Sequence, residues 1–186
     1  MRFVLLLAAV FALAPAAFAA PAPPPAPQKP LDALFAALGR AQSPEQAKPI
    51  EDQILTLFLQ SRSPSVDLLM TRAAAALTVG DKDLASQLFV AITDIAPDYA
   101  EGWHQRARIE AASGNDEAAI ISLERTVMLN PREFQACAEL GAKLEDYGDK
   151  KAALAMYRKV LVLDPQYDDI ARHVRALTRD VEGQGI

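Results

Sequence analysis

The sequence predicts an all-α fold built from helical hairpins that stack on one another. Its composition suits closely packed helices, because 51% of the residues are hydrophobic, only 6% are aromatic, and alanine, the best helix former, is abundant. From Leu31 onward the apolar residues, starting with Leu34, Phe35 and Leu38, recur at the three- and four-residue spacing of a helix face. The same kind of pattern then repeats every 34 residues.

Three kinds of residue mark this repeat. A glycine, an alanine and a proline each return in phase at intervals of 34 residues, through three successive units. These positions are Gly80, Gly114 and Gly148; Ala85, Ala119 and Ala153; and Pro97, Pro131 and Pro165. Because a single hairpin cannot bury its own apolar face, such units are expected to stack and share a core.

Each unit is predicted to contain two helices. In the first unit, one helix spans residues 66–79, and Gly80 supplies the turn because glycine tolerates a positive φ. Asp81 can cap a second helix that ends near Ala96. Pro97 stops that helix and begins the connection to the next unit. Ala85 is expected to be small because the two helices cross closely there.

These units resemble tetratricopeptide repeats, whose pattern combines a large residue, L-G, alanine, an aromatic residue and proline. The third unit carries Leu140, Gly141, Gly148, Ala153, Tyr157 and Pro165; the second carries Trp103, Ala107, Gly114, Ala119 and Pro131; the first carries Ala73, Gly80, Ala85, Phe89 and Pro97. The sequence departs from the pattern at Arg72, Arg106 and Cys137. The resemblance implies a right-handed superhelical stack with a concave groove.

The resemblance sets the expected boundaries. The three repeats are assigned to residues 66–99, 100–133 and 134–167, preceded by a degenerate helical hairpin at 31–65. In that hairpin Ser43, Pro44 and Gln46 indicate a helix start, and Pro49 either kinks the helix or begins it anew. Residues 168–182 resemble a capping helix, and residues 183–186 form a tail. The expected apolar face of the capping helix is Ile170, Val174, Leu177 and Val181.

The N-terminus has the pattern of a secretory signal peptide. Arg2 precedes an apolar run, and the A-x-A site at residues 17–19 predicts cleavage after Ala19. Residues 20–30 are rich in proline and are expected to form a stiff linker. A periplasmic location follows, and the alternative is an inner-membrane anchor formed by an uncleaved N-terminus. The single cysteine, Cys137, excludes an internal disulfide.

Few residues suggest chemistry. The net charge of −5 argues against nucleic acid as a partner, since phosphate binding needs a basic surface. His104 and His173 fall in different predicted helices without metal-ligand spacing, so no metal or cofactor is predicted. Cys137 and His104 lie nearly one repeat apart, but Cys137 occupies a packing position. The adjacent carboxylates Glu145 and Asp146 are interpreted as a solvated face. The sequence therefore predicts a protein that is not an enzyme.

Arg72 and Arg106 recur one period apart, which leaves two interpretations open. Two stacked guanidinium groups could receive a partner's carboxylate. Alternatively, their stems cover apolar surface and Glu110 pairs with Arg106 within one helix, which is the interpretation we favour. Trp103 is likewise interpreted as a core residue rather than a platform for a ligand.

The resemblance implies that the first helices of the repeats line a groove for a peptide or a partner protein. Carried over in phase, the lining is Asp67, Met70, Ala74 and Leu77; Glu101, His104, Arg108 and Ala111; and Gln135, Ala138, Ala142 and Glu145. His104 in this lining would make binding depend on pH between about 5 and 8. The function expected is a non-catalytic scaffold in a bacterial cell envelope. The alternative is a structural component that self-associates through its terminal helices.

Overall fold

The computed structural model describes residues 29–183, and the secondary structure of this part of the chain is entirely helical. Its nine helices are α1 (Lys29–Leu38), α2 (Pro44–Phe58), α3 (Pro64–Thr78), α4 (Lys82–Ile95), α5 (Ala100–Ala112), α6 (Asp116–Leu129), α7 (Phe134–Asp146), α8 (Lys150–Leu163) and α9 (Ile170–Glu182). The all-α prediction is confirmed. The expected signal peptide and most of the expected linker lie outside the described residues.

Helices α3 to α8 form the three predicted hairpins, α3–α4, α5–α6 and α7–α8. Gly80, Gly114 and Gly148 stand at equivalent turns, with φ of 80°, 77° and 86°. This left-handed conformation strains any residue that has a Cβ, which explains why glycine recurs at this position. The predicted bends are therefore confirmed in all three units.

The residue after each of these glycines caps the second helix of its hairpin. The side chain of Asp81 accepts a hydrogen bond from the backbone N–H of Leu84 at 3.0 Å, and that of Asp149 accepts one from Ala152 at 2.9 Å. Asn115 does the same for Ala118 at 3.3 Å. Each bond satisfies one backbone donor that the first turn of a helix leaves unpaired.

The repeated alanines lie where the two helices of each hairpin approach each other. Ala85, Ala119 and Ala153 all have no exposed surface, as the sequence predicted for close helix crossings. Beyond each hairpin, the next helix continues the array, and neighbouring helices pack side by side from α3 to α9. The core of the array is therefore a continuous series of shared faces.

Helix α9 closes the far end of the array, as predicted for the capping helix. Val174 and Leu177 are buried against Leu154 and Tyr157 of α8, and Val181 packs at the edge of this cluster. The opposite side of α9 carries exposed arginines. Two ion pairs fasten it further: Lys150 with Asp180 at 3.1 Å and Arg158 with Glu182 at 2.7 Å.

The leading hairpin forms, with small differences from the prediction. Helix α1 begins at Lys29, so the last two residues assigned to the linker belong to a helix. Helix α2 has Ser43 as its N-cap residue, although the serine side chain makes no capping bond, and Gln46 instead accepts from the backbone N–H of Gln42. Pro49 lies inside a helix that continues past it, so it does not begin a new helix.

The leading hairpin does not stack on the first repeat in the way that the repeats stack on one another. Helix α2 makes no contact with α3 comparable to that between α4 and α5 or between α6 and α7. Instead, the apolar face of α1 and α2 shares a cluster with Phe134, Cys137 and Val160 of the third repeat. None of the helices within residues 29–183 is both long and apolar enough to cross a bilayer.

Candidate functional site

The twelve predicted groove residues all lie on the first helices of the repeats, but they do not form one open surface. In the first repeat Asp67, Ala74 and Leu77 are exposed and Met70 is partly buried; in the second, Arg108 is exposed, Ala111 is partly buried, and Glu101 and His104 are buried; in the third, Ala142 is exposed and Gln135, Ala138 and Glu145 are partly buried. The groove is thus divided into a covered half and an open half.

The covered half includes the N-terminal turns of α5 and α7. Glu101 is 6% exposed and His104 is 1% exposed, and Ala138 packs against the cluster that the leading hairpin forms with the third repeat. The sequence placed these residues in a solvent-accessible lining. That prediction is wrong for them, since the hairpin and the repeats together exclude solvent from this half.

A cation and two aromatic rings hold α1 at the junction of the second and third repeats. The guanidinium of Arg132 donates a 2.6 Å hydrogen bond to the carboxylate of Asp32. The same guanidinium lies over the ring of Phe35, 4.0 Å from its centroid. Phe35 also makes an edge-to-face contact with Phe134, with ring centroids 6.4 Å apart. One arginine therefore recognises an acidic residue and an aromatic residue three positions apart on a helix.

Backbone groups of the hairpin are bound as well. The side-chain amide of Gln166 donates to the carbonyl oxygen of Ala41 at 3.2 Å, and the hydroxyl of Tyr99 donates to that of Leu59 at 2.8 Å. Gln166 directly follows Pro165, and Tyr99 lies two residues after Pro97, so the segments that end these repeats contact both ends of α2. Neither contact has a signal in the sequence, because both depend on pairing over 40 residues or more.

His104 lies between carboxylates beneath this cover. Its Nε2 is 3.2 Å from Glu139, and its Nδ1 is 3.6 Å from Glu101. Burial lowers the pKa of His104, but the carboxylates of Glu101 and Glu139 raise it by more, to about 10. His104 therefore stays protonated between pH 5 and 8, and the prediction that it titrates in this range is wrong.

Two carboxyl groups meet across the boundary between α2 and the third repeat. Glu51 of α2 is 9% exposed and Asp164 at the end of α8 is not exposed. Burial raises the pKa of Asp164 to about 6; the backbone N–H of Gln166 opposes this effect, and the neighbouring Glu51 adds to it. Lys48 lies 3.5 Å from the other side of Glu51. The contact between α2 and the end of α8 therefore depends on the protonation of Asp164.

Glu133, at the start of α7, is a third buried carboxyl group. It is 1% exposed, and burial raises its pKa to about 8, against the opposing charge of His104 and with a further contribution from Glu101 and Glu139. One oxygen of Glu133 and one of Asp164 have no hydrogen-bond partner within the described part of the protein. A buried acceptor without a hydrogen bond costs free energy. The polar groups around Glu133 and Asp164 are therefore not fully paired.

Two cavities flank the C-terminal end of α2, where it passes the first repeat. One, of about 520 Å³, lies between Phe58 and Tyr99 and reaches Pro30 and Asn130. The other, of about 480 Å³, has a mostly apolar surface, although half of its lining residues are polar. It is lined by Thr56, Leu59, Gln60, Asp67, Met70, Thr71, Ala74, Leu77, Phe89 and Gln105. The hairpin is therefore closely packed on the third repeat and loosely packed on the first.

The open half of the groove follows the C-terminal turns of the same first helices. Ala74 and Leu77 of α3, Arg108 of α5 and Ala142 of α7 are exposed, and Ala111 is partly exposed. We call these five residues the open strip. The Nε of Arg108 is 3.9 Å from Glu139, a long distance for an ion pair between two partly exposed groups. Its charge is thus available at the centre of the strip.

The strip ends at a polar cluster that the sequence did not reveal. Glu145 accepts hydrogen bonds from the hydroxyl of Tyr157 at 3.1 Å and from Nε2 of His173 at 2.7 Å. The ring of His173 also packs edge-to-face on Tyr157, with centroids 4.9 Å apart. Glu145 was predicted to line the groove and, with Asp146, to be solvated. Its main contacts instead fasten α9 to the third repeat.

Cys137, the residue with possible nucleophilic chemistry, lies in an environment suited to packing. Cys137 is fully buried in the cluster beneath the hairpin, and burial raises the pKa of its thiol to about 11. The thiol is thus protonated at neutral pH and is a poor nucleophile. Residues 29–183 contain no cluster of three or more side chains suited to bind a metal ion.

Arg106 agrees with the structural interpretation of the recurring arginines. Its Nε donates to Glu110 at 2.8 Å, its Nη1 donates to Thr93 at 3.1 Å, and its guanidinium lies over the ring of Trp103. Trp103 is half-buried and donates its own N–H to the carbonyl of Pro97. These residues join the first repeat to the second. Arg72 is exposed on α3, outside the open strip.

The stacked hairpins, the shared core and the groove on one side define a helical-repeat protein. No family model matches the chain. A TPR repeat-containing protein of Rhizobium etli is 27% identical over 157 residues, which cover 84% of this chain and 77% of that protein.

Solved structures of tetratricopeptide-repeat proteins share the fold. The Sgt2 TPR domain from Aspergillus fumigatus is 26% identical, with a TM-score of 0.56 and coverage of 64% of this chain and 81% of that domain. The first TPR of Spaghetti (RPAP3), bound to an HSP90 peptide, is 19% identical, with a TM-score of 0.57 and coverage of 63% and 93%. The Yersinia enterocolitica chaperone SycD, in complex with a YopD peptide, is 15% identical, with a TM-score of 0.55 and coverage of 64% and 94%. This chain therefore has a tetratricopeptide-repeat fold, as its sequence predicted.

Proposed function

We propose that the protein is a non-catalytic scaffold that binds a segment of a partner protein along the open strip. The observation that carries this proposal is that each of three successive first helices keeps exposed or partly exposed side chains on the predicted groove side, although Glu101 and His104 are covered. RPAP3 and SycD, which share this fold, are described in complex with peptides. Their likeness supports the use of a groove and does not identify the partner.

The side chains of the strip suit an incoming backbone. Ala74, Ala111 and Ala142 are small and leave room for a main chain, while Leu77 and the apolar cavity beside it can receive an apolar side chain. Arg108 supplies one cation for a carboxylate or a carbonyl oxygen. Because the helices are fixed by their shared core, binding does not have to order the scaffold, which reduces its entropic cost.

We further propose that the scaffold works in the bacterial cell envelope. The basic start, the apolar run and the A-x-A site within residues 1–19 support export to the periplasm, and an uncleaved membrane anchor is the alternative. Self-association through the terminal helices has less support, because α9 and the α1–α2 hairpin bury their apolar faces within the same chain.

Substitution of Arg108 tests the strip. A tagged chain is expressed in its own host, crosslinked and recovered from the periplasmic fraction. We expect Arg108→Glu to reduce capture of the partner about fivefold or more, because it reverses the one cation at the centre of the strip. Arg72→Glu makes the same charge change at an exposed site outside the strip and should leave capture unchanged.

The same experiment can contradict each part of the proposal. Equal capture by the wild type and Arg108→Glu would exclude the open strip as the binding surface, provided that circular dichroism shows equal helix content. A tagged chain that is missing from the periplasmic fraction and present in the cytoplasm would contradict export.

A further inference from the structure

The α1–α2 hairpin contacts the third repeat in the manner of a bound ligand. Asp32 and Phe35 project from one face of α1, and both meet the guanidinium of Arg132, which is 2.6 Å from the carboxylate and 4.0 Å from the ring centroid. Phe134 packs edge-to-face with Phe35. Arg132 and Phe134 of the array thus contact an acidic residue and an aromatic ring on the apolar face of α1.

The hairpin is joined to the array by a short connection rather than by packing along the stack. Residues 59–63 link α2 to α3, and these two helices lack the side-by-side contact that joins the repeats. Within the connection Arg62 has a φ of 62°, a conformation that is unfavourable for a residue with a Cβ. The connection is therefore short, and its backbone is strained at one residue.

The docked hairpin matches the polar groups of the repeats incompletely. Glu51 approaches Asp164, and one oxygen of Asp164 finds no hydrogen-bond partner in the described region. A permanent core contact would be expected to pair such an atom. Open pockets of about 520 and 480 Å³ also lie on the two sides of the C-terminal end of the hairpin.

We propose that the covered half of the groove is an amphipathic-helix site, which the chain's own α1–α2 hairpin occupies as an internal ligand. The external partner for this half is an amphipathic helix with an acidic residue three positions before an aromatic residue, the arrangement of Asp32 and Phe35. Such a helix displaces the hairpin and binds Arg132 and Phe134. The proposal rests on the groove being a binding surface, and it adds the class of partner and the element that regulates access.

The internal ligand has a large advantage over an external one. Because the connection is short, the hairpin is present at an effective concentration on the order of millimolar, so an external helix binds weakly until the hairpin is loosened. A substitution that weakens only the hairpin's own contact should therefore increase the affinity for an added helix.

The experiment uses the full chain and a labelled synthetic peptide of residues 29–58, with fluorescence anisotropy as the readout. In the chain, Asp32→Arg places two cations together and loosens the internal hairpin, while Arg132 and Phe134 stay intact. We expect the dissociation constant of this variant for the wild-type peptide to be at least about fivefold lower than that of the wild-type chain. Asp32 is half-exposed, so the substitution is compatible with folding.

Two controls define the result. Asp52→Arg makes the same charge change on the same hairpin, at a residue that pairs with Lys48 of its own helix, and it should bind the peptide as the wild type does. The double variant Asp32→Arg, Arg132→Glu restores the internal ion pair with the charges exchanged. The new Glu at position 132 also repels Asp32 of the peptide, so the affinity for the peptide should fall to the wild-type value or below.

The proposal is overturned if the Asp32→Arg and Asp52→Arg chains bind the peptide equally, or if no chain binds it at about 100 µM. Either result would mean that the hairpin is a permanent part of the core. The open strip would be unaffected by that result, because Arg108 lies outside the hairpin contact and is tested by partner capture.

Discussion

At the scale of single residues, the environment of Cys137 decides between chemistry and packing. The thiol has no exposed surface and contacts the core that joins the hairpin to the third repeat. Burial raises its pKa to about 11, with a smaller opposing effect of Lys159. A residue that combines full burial with a protonated thiol behaves as a small apolar side chain.

We expect Cys137→Ala to lower the free energy of unfolding by about 1 kcal/mol, because it removes one buried atom and leaves a small void. In the wild type the thiol should be inert to maleimide at pH 8 and should react after denaturation in urea. The control is Ala155→Cys in the Cys137→Ala background, where the exposed position on α8 should label at once. Rapid labelling of native Cys137 would contradict this interpretation.

Some residue environments could be predicted from the sequence and others could not. Gly80 and Asp81 form a local turn and cap, so their neighbours in sequence determine what they do. The raised pKa of Asp164 depends in part on Glu51, more than 100 residues away in the sequence, and a local pattern contains no information about that contact. His104 was placed correctly on its helix, but its pKa depends on Glu139 of the next repeat.

At the scale of helices, the six that carry the 34-residue period form as predicted, because each period contains its own turn, cap and stop signals. The α1–α2 hairpin also forms from local signals. Its position on the third repeat was not predicted, since the apolar face of a hairpin shows that it must be buried but not against which surface. Arg132 and Asp32, which pair across this contact, are 100 residues apart.

We expect Phe35→Ala to loosen the hairpin without unfolding the repeats. The substitution removes the ring that contacts Arg132, Phe134 and Phe58. Hydrogen–deuterium exchange should then become at least about tenfold faster for the amides of α1 and α2, and should stay unchanged for α5 and α6. Leu68→Ala, which removes an exposed side chain of 61% accessibility, is the control and should change neither region. Equal acceleration in all helices would show that the hairpin and the repeats unfold as one unit.

At the scale of the whole molecule, the hairpin links parts of the array that a simple stack of repeats would leave independent. In a plain stack each unit contacts only its neighbours, so the ends of the array are independent of each other. Here the α1–α2 hairpin contacts both ends of the array. It is hydrogen-bonded to Tyr99, at the end of the first repeat, and to Gln166, at the end of the third repeat. The stability of the stack is therefore coupled to the state of the hairpin and of the buried carboxyl groups at its boundary.

This coupling predicts how stability depends on pH. Burial raises the pKa of Asp164 to about 6 in the folded protein, from an ordinary value of 3.8. The folded state thus holds this proton more tightly than the unfolded state does, so its contribution to stability is full below about pH 4 and is lost as the pH rises to about 6. Asn at this position cannot ionise and still accepts the hydrogen bond from the backbone of Gln166.

We therefore expect Asp164→Asn to be more stable than the wild type by about 1 kcal/mol at pH 7.5, and the difference to vanish near pH 4. Urea unfolding followed by circular dichroism at several pH values measures both quantities. Asp94→Asn, at an exposed position in the last turn of α4, is the matched control and should show no such pH-dependent gain. A difference for Asp164→Asn that does not vary with pH, or a loss of stability at pH 7.5, would show that Asp164 is ionised and well solvated beneath the hairpin.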